Sequence, residues 1–280
     1  MNTRERKPIE QIALKILQKG TIQTATLLEN IFLSRPKTTK QGVYRVLRKL
    51  KNEEKIVIHG KLVSLNLHWI KNMNEFFYLA HFYYSSPKAA SLDSFLNVRE
   101  KDKIIYFFKN LNLLDSFWSH IFHMLAEVSN PKEPIFVYNP HEWFAYARQE
   151  TEQTLIKTMR EKTRQVFITV AHNDPLDKEL KKTLRGDFTQ YYVDEGNIFE
   201  KQNYYFNIFG DYLIEVFIDE KISKQIDIFF KKTKFFDDKA RENLLEVVSK
   251  SGKNKLIISK NRKKAEKYIK ILSKNFYIIK

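Results

Sequence analysis

Apolar residues recur at helical spacing near the start of the chain. A first face, spaced i, i+3, i+4, i+7 and i+8, is formed by Ile9, Ile12, Ala13, Ile16 and Leu17. A second face begins at Leu27 and ends before Pro36, because the residue that precedes a proline is disfavoured in a helix. The pattern therefore predicts two short helices before residue 36.

A third helical pattern carries apolar residues on one face and cations on the other. Thr38 and Gln41 have the spacing of a capping box, so we expect this helix to begin at about Thr39. Its apolar face consists of Val43, Val46, Leu47 and Leu50. Its other face has residue types that contact phosphates and base edges, namely Lys40, Gln41, Tyr44, Arg45 and Arg48.

The segment EKIVIHGKLVSLNLHW predicts a β-hairpin. Val63, Leu65 and Leu67 alternate with polar residues, as expected for a half-buried strand, and His-Gly-Lys at residues 59–61 supplies the turn. The predicted order over residues 1–68 is therefore helix, helix, cationic helix, hairpin.

The positive charge of the chain is concentrated at its two ends. The formal net charge is +16. Residues 1–71 carry a net +10 and residues 249–280 another +10, so the part between them is net −4. Charge confined in this way favours local anionic partners, of which nucleic acid is the commonest. The Lys-rich end, with an apolar seam at Ala265, Ile269 and Leu272, is either a solvated outer helix or a second nucleic-acid contact.

With that order and charge, residues 5–70 resemble the winged helix-turn-helix superfamily of transcription regulators. The resemblance is carried by TTKQGVYRVLRKLKNEEKIV and the hairpin after it. In that superfamily the third helix enters the major groove of double-stranded DNA and the wing touches the flanking backbone. By position, the resemblance implies DNA contacts from Thr39, Lys40, Gln41, Tyr44, Arg45, Arg48 and Lys49 on the helix and from His59 and Lys61 in the wing. Winged helices also serve as protein-interaction modules, so that alternative stays open.

Residues 69–94 predict a connecting helix with an apolar stripe. The stripe consists of Trp69, Met73, Phe76, Phe77, Ala80 and Tyr84. It either packs against the rest of the chain or joins two copies into a homodimer whose winged helices contact two half-sites. A homodimer is our expectation.

Residues 95–280 predict a larger α/β domain. Short aromatic or β-branched segments such as KIIYFF, PIFVY and QVFITV alternate with helical patterns, and FYII near the end has the same character. This alternation favours a sheet covered by helices on both faces. The fold class predicted for the whole chain is α/β (mixed): an N-terminal winged helix-turn-helix followed by the larger sheet domain.

One segment of this domain, FGDYLIEVFIDEKISKQIDIFF, is loosely similar to the effector domains of TrmB-like regulators. Such domains have a phospholipase-D-like fold and imply ligand sensing. The catalytic His-x-Lys motif of phospholipase D enzymes is absent from the sequence. The resemblance therefore implies a small-molecule effector and no catalysis.

The stretch YNPHEWFAYARQETE contains His141, Glu142 and Arg148 close together. The start of a helix expected over about residues 141–162 explains much of it, with Asn139 as N-cap, Pro140 in the first position and a hydrophobic staple between Tyr138 and Trp143. The functional alternative is ligand binding by His141 and Arg148.

Two further groups of polar residues are candidates for ligand binding. His172, Asp174 and Asp177 follow a predicted strand, where open α/β sheets bind ligands, although Asp174 also fits a helix cap. A metal ion there would need ligands from elsewhere in the chain, and the sequence shows none, so no metal is predicted. Asp211 heads a second group, with Glu215 and Asp219 four and eight residues on. A nuclease of the Asp…Glu-x-Lys type would need Lys where Phe217 stands.

Several classes of protein are disfavoured. The chain has no Cys, and its Gly residues are too widely spaced for a phosphate-binding loop, so we expect no cofactor and no enzyme activity. The most hydrophobic run, FFYLAHFYY, is about half as long as a membrane helix, so we expect no membrane partner and a cytoplasmic location.

The sequence as a whole predicts a DNA-binding transcriptional regulator. The alternatives are a metal-dependent nuclease or toxin-type protein, with a site built from His141, Arg148 and Asp174 or Asp211, and a winged-helix module that binds protein or RNA. Ligand binding in the larger domain is assigned to His141, Arg148, His172 and Asp211.

Overall fold

The structure is a computed structural model that describes residues 8–85, 94–184, 186, 188–194, 198–199 and 201–277. The chain divides into two compact units, Met1–Tyr83 and Tyr84–Lys280. We call them the smaller and the larger unit and describe each by itself.

The smaller unit has the predicted order of helices and hairpin. Its elements are α1 Ile9–Leu17, β1 Ile22–Gln23, α2 Thr24–Ser34, α3 Lys40–Asn52, β2 Ile56–His59, β3 Leu62–Leu65 and α4 Leu67–Ser85. The three strands form an antiparallel sheet in the order β1-β3-β2. The apolar faces predicted for the first three helices meet in one core, at residues such as Ala13, Ile31 and Leu47. Periodicity alone was enough to find this core.

The start of α3 differs from the prediction by one residue. The N-cap is Thr39, whose side chain accepts a hydrogen bond of 3.1 Å from the backbone N–H of Gly42. The hydroxyl of Thr38 is buried without a hydrogen-bond partner in the described part of the chain. Glycine suits position 42 because any other residue would place a Cβ only 3.2 Å from the Thr39 hydroxyl. The predicted capping box of Thr38 and Gln41 is therefore wrong.

The hairpin turns at Gly60, which has a positive φ of 56°, a conformation that glycine adopts without strain. Strand β3 ends at Leu65, two residues earlier than the predicted alternation. The Asn66 side chain accepts a hydrogen bond of 2.9 Å from the N–H of His68, and Leu67 already belongs to α4. The polar cap of α4 thus ends the strand.

Helix α4 confirms a helix after the hairpin, and most of it belongs to the smaller unit. Phe76 and Phe77 of the predicted stripe are 59% and 62% exposed. Tyr78, on another side of the helix, is exposed as well. The last part of the predicted connecting segment, residues 86–93, lies outside the described residues.

The larger unit is built on a seven-stranded mixed sheet, which confirms the α/β class. Its strands are β4 Lys103–Phe108, β5 Ile135–Asn139, β6 Val166–Val170, β7 Thr189–Val193, β8 Tyr204–Phe209, β9 Tyr212–Phe217 and β10 Asn254–Lys260. They are ordered β4-β10-β9-β8-β5-β6-β7. Strands β5, β6 and β7 are mutually parallel, and every other neighbouring pair is antiparallel.

Helices cover both faces of this sheet, as predicted. They are α5 Leu111–Val128, α6 Trp143–Ala147, α7 Gln149–Glu161, α8 Pro175–Thr183, α9 Glu220–Lys232, α10 Asp238–Ser249 and α11 Arg262–Leu272. Successive residues of β5 point to opposite faces, so Val137 belongs to the core under α5–α10 and Tyr138 to the core under α11. Ala265 and Leu272 of the predicted seam are buried in that second core.

Three local predictions for this unit are wrong. The helix expected over residues 141–162 is interrupted at Arg148, which separates α6 from α7. Tyr138 and Trp143 lie in the cores on opposite faces of the sheet, so they cannot form a staple. In the expected strand FYII, Phe276 and Tyr277 are outside any strand, and residues 278–279 lie outside the described residues.

Within the described part of the chain, no helix has both the length and the apolar character required to cross a bilayer.

Candidate functional sites

The cationic face of α3 is open to solvent. Lys40, Gln41, Arg45 and Arg48 are all exposed, and Tyr44 is 38% exposed among them. The backbone that carries these residues is anchored by packing, because Val43, Leu47 and Leu50 on the opposite side of the helix are buried in the core of the smaller unit. The helix therefore presents a fixed row of donors on a rigid support.

The charges of Lys40, Arg45 and Arg48 on this face are not neutralised by any acidic side chain in the described part of the chain. Among the described residues, no acidic side chain lies within ion-pair distance of Lys40, Arg45 or Arg48. Unpaired guanidinium groups are suited to an anionic partner because Arg presents several donors in a fixed planar arrangement.

Lys49, also a predicted DNA contact, is engaged in ion pairs within the smaller unit. Its ammonium group lies 2.8 Å from Glu10 of α1 and 3.7 Å from Glu53. Glu10 also pairs with Lys55 at 2.9 Å, and the hydrogen bonds from Lys49 and Lys55 lower the pKa of the Glu10 carboxyl. Lys49 thus ties α3 to α1 and is less available to a partner than Arg45 or Arg48.

The other predicted DNA contacts also lie on the surface. The Thr39 hydroxyl is engaged in the cap of α3, while its residue stays exposed. His59 and Lys61 flank the hairpin turn with exposed side chains. The backbone carbonyl of Lys61 accepts a hydrogen bond of 2.8 Å from the N–H of Thr24, which fixes the hairpin to the start of α2.

A second candidate site lies in the larger unit, where two histidines meet beyond the sheet. His141 follows β5 by two residues and His172 follows β6 by two residues. These strands are parallel neighbours with Asn139 opposite Val170, so the register brings both histidines to the same edge. Their rings stack with centroids 4.5 Å apart and planes inclined by 17°.

His141 is completely buried and is oriented by a carboxylate. Its Nδ1 lies 2.9 Å from Asp177 Oδ2, in the first turn of α8. The same Asp177 oxygen accepts a hydrogen bond of 3.2 Å from the N–H of Asp174, which confirms Asp174 as the N-cap of α8. Behind His141, the ring of Phe230 stacks at 4.3 Å. The imidazole is therefore held on three sides.

The remaining nitrogen of His141 faces carboxylates without a hydrogen bond. Its Nε2 lies 3.9 Å from Asp174 Oδ2 and 3.5 Å from Asp227 Oδ1. Within the described residues, neither His141 Nε2, His172 Nε2 nor Asp174 Oδ2 has a hydrogen-bond partner, although all three atoms are buried. Buried polar atoms are normally satisfied, so this cluster needs an explanation.

Burial sets the ionisation of the cluster. It lowers the pKa of His141 to about 4 and raises that of the Asp177 carboxyl to about 8. Burial also lowers the pKa of His172, and the neighbouring His141 acts in the same direction. At neutral pH both imidazoles are therefore neutral, which is the form that can donate a lone pair.

Next to the histidines, Glu142 is buried and hydrogen-bonded to Asn139. The Asn139 side chain donates to Glu142 Oε1 at 2.6 Å, so Asn139 caps no helix. Burial raises the pKa of Glu142 to about 8. The helix start that we predicted around Asn139 and Pro140 is wrong, because α6 begins only at Trp143.

Of the four predicted ligand-binding residues, only His141 and His172 come together. Arg148 donates to Asp115 at 2.7 Å and to Ser116 at 3.0 Å, in a pair between α6 and α5. Asp211 lies in the turn between β8 and β9. Since β8 runs antiparallel to β5, with Phe136 opposite Ile208, that turn is at the other end of the sheet from His141.

The other members of the Asp211 group each have a local structural partner. Glu215 accepts a hydrogen bond of 2.8 Å from the Tyr204 hydroxyl and pairs with Lys264 at 2.8 Å. Asp219 caps α9 and also accepts a hydrogen bond from the N–H of Lys253. The three carboxylates do not assemble into a cation site.

Sequence analysis missed Asp227 entirely. It lies on α9 next to Ile226 and is almost fully buried. The sequence signal that could have identified Asp227 is its position next to the apolar face of the amphipathic helix α9.

No protein-family model, no curated protein and no solved structure matches this chain.

Proposed function

We propose that the chain is a cytoplasmic DNA-binding transcriptional regulator whose smaller unit is a winged helix that reads the major groove with α3. The observation that carries the proposal is the row of exposed cations Lys40, Arg45 and Arg48 on α3, which have no acidic partner among the described residues. The larger unit would sense a ligand or mediate assembly.

The element order supports this assignment. A helix that begins at a defined N-cap, faces solvent with Gln and Arg, and is followed by a hairpin is arranged as winged helices are when they bind a duplex. Gln41, Arg45 and Arg48 lie one to two turns apart along one surface groove of α3. Gln and Arg are the side chains that make bidentate contacts with adenine and guanine.

The charge pattern adds a second argument. Lys40 and Lys61 are exposed and unpaired among the described residues, and both are suited to phosphate contacts. Such contacts position a protein on the duplex without reading its sequence, whereas the groove contacts provide specificity. Binding should therefore have a sequence-independent, salt-sensitive part and a sequence-dependent part.

The proposal predicts a preference for the DNA upstream of the chain's own coding sequence. Fluorescence anisotropy of the full-length protein would be measured with that duplex and with a scrambled duplex of equal length and composition, at physiological salt. We expect the native duplex to bind at least tenfold more tightly, because specific sites typically exceed non-specific ones by ~10³-fold or more. Equal affinities with a steep salt dependence would instead identify an interaction module with an incidental cationic face.

The nuclease alternative is weakened by the geometry. It would need Arg148 together with His141 and either Asp174 or Asp211. Asp174 does lie near His141, but Arg148 is paired with Asp115 and Asp211 is at the other end of the sheet. An assay for cleavage of single- and double-stranded DNA and RNA with added divalent metal ions should show no turnover, and multiple turnovers would revive that alternative.

A further inference from the structure

We propose that His141, His172 and Asp174 of the larger unit bind one divalent transition-metal ion, of which Zn²⁺ is the test case. The proposal goes beyond DNA binding and concerns the larger unit alone, so it stands or falls independently of the function proposed for α3. We call these three residues the His-Asp site.

The donor atoms of the His-Asp site already converge. One ligand atom from each residue lies within 4.8 Å of the others. In a tetrahedral zinc site, with bonds of ~2.1 Å, two ligand atoms are roughly 3.4 Å apart. Binding therefore requires the most distant of these atoms to approach one another by up to about 1.4 Å.

Two of the three ligands, His172 and Asp174, are partly accessible to solvent. His141 is fixed by Asp177 and Phe230, whereas His172 and Asp174 are only half-buried and lie in the loop between β6 and α8. The stacked arrangement of the rings must open, because a metal ion lies close to the plane of each imidazole that binds it. The ring of His172 would turn, and the same half-exposed side gives the ion a path from solvent.

The surroundings of His141 resemble those of a histidine that binds a metal ion. Metal-binding histidines usually donate their other ring N–H to a carboxylate, which fixes the tautomer and the ring orientation. Asp177 stands at 2.9 Å from Nδ1 and leaves Nε2 with its lone pair toward Asp174. A bound cation would satisfy this otherwise unpartnered buried nitrogen, whose isolation costs free energy.

The composition of the cluster also favours a cation. The carboxyl groups of Asp174, Asp177 and Asp227 lie around His141, with oxygens 3.9 Å, 2.9 Å and 3.5 Å from its ring nitrogens. Two nitrogens and a carboxylate oxygen form a donor set typical of Zn²⁺ and its transition-metal neighbours rather than of Ca²⁺ or Mg²⁺.

The metal alone is the probe in the test. Tag-free full-length protein, treated with a chelator and dialysed, would be titrated with Zn²⁺ in competition with a chromophoric chelator, and with Co²⁺ followed by its visible ligand-field absorption. We expect one ion per chain and the intense Co²⁺ bands of a low-coordinate site. The variants His172→Ala and Asp174→Asn remove half-exposed ligands and should each weaken Zn²⁺ binding by more than tenfold.

Two comparisons make the result specific. His120→Ala removes an exposed histidine on α5 and should leave stoichiometry and affinity unchanged. Asp177→Asn keeps all three ligands but alters the partner of His141, and should weaken binding by ~10–100-fold, as loss of outer-shell partners does. Circular dichroism would check that each variant is folded. The proposal is overturned if the wild type binds no stoichiometric ion, or if His172→Ala and Asp174→Asn bind as tightly as wild type.

Discussion

Buried acids in the larger unit are balanced by very few cations. Asp115 is 3% exposed and pairs with Arg148, yet burial still raises the pKa of its carboxyl to about 6. The Arg148 guanidinium acts in the opposite direction and holds this pKa below the value that burial alone would give. Glu152, whose pKa burial raises well above its usual range, is also stabilised in its charged form by Arg148. The charge of one arginine thus partly opposes the effect of burial on two carboxyls.

The effect of this pair on stability has a defined sign. A carboxyl whose pKa is higher in the folded than in the unfolded protein binds more protons when folded. The Asp115 carboxyl therefore contributes most to the free energy of unfolding at low pH. This contribution is lost as the pH rises through about 6. Removal of Arg148 would raise the pKa of Asp115 further, so the folded protein would lose more stability as the pH rises.

We expect Arg148→Ala to destabilise the protein more at pH 8 than at pH 5. The additional loss should be about 1–3 kcal/mol, the cost of leaving a buried charged group without its partner. Urea unfolding of wild type and variant at both pH values measures it, and the comparison cancels the titration of the groups that Arg148 does not affect. Asp115→Asn in the Arg148→Ala background should remove much of the pH dependence. Equal destabilisation at both pH values would contradict this assignment.

At this scale the sequence identified the right residue types but not their partners. His141, His172, Asp174 and Asp177 were all singled out by their neighbours in sequence, as candidate ligands or as capping residues. That His141 and His172 share a site depends on the parallel register of β5 and β6, which no local pattern encodes. Arg148 and Asp115 are 33 residues apart in sequence, and their pairing likewise depends on the packing of α6 on α5.

At the scale of elements, the helices and strands were largely predictable because each buries one face. The alternation of KIIYFF, PIFVY and QVFITV with helical patterns matches β4, β5 and β6 and the helices between them. Boundaries were less predictable, because they depend on single hydrogen bonds. Asn66 ends β3 by capping α4, and Thr39 rather than Thr38 begins α3.

The cap of α3 can be tested with neighbouring threonines. Thr39→Ala removes the acceptor of the Gly42 N–H and should lower the free energy of unfolding by about 0.5–2 kcal/mol. Thr38→Ala removes a buried hydroxyl that has no partner among the described residues and should be neutral or slightly stabilising. Chemical unfolding of both variants gives the comparison. If Thr38→Ala were the more damaging change, the capping box predicted from sequence would be correct after all.

For the whole molecule, the α/β class was predictable from the sequence, but the order of strands was not. The order β4-β10-β9-β8-β5-β6-β7 places β10, near the end of the chain, next to β4. Such pairing joins distant segments and has no signature in a single sequence. The same topology puts Asp211 at one end of the sheet and His141 at the other, which separates residues that had been assigned to one ligand site.

Three predictions for the whole molecule stay predictions. Homodimer formation through α4 rests on its exposed aromatic side chains, of which Phe76 and Phe77 are examples. A second nucleic-acid contact would use the exposed lysines of α11, such as Lys263, Lys267 and Lys270. The similarity to TrmB-like effector domains would give the larger unit a sensing role.

The central claim is that α3 reads DNA with Arg45 and Arg48, and one measurement tests it most directly. The affinity of full-length protein for its upstream duplex would be compared between wild type, Arg45→Ala, Arg48→Ala and the control Arg241→Ala, which removes an exposed arginine from α10. Each α3 variant should lose about 1–3 kcal/mol of binding free energy and much of its preference over the scrambled duplex. The control should retain both the affinity and the preference. Wild-type affinity and preference in both α3 variants would show that this face is only a charged surface.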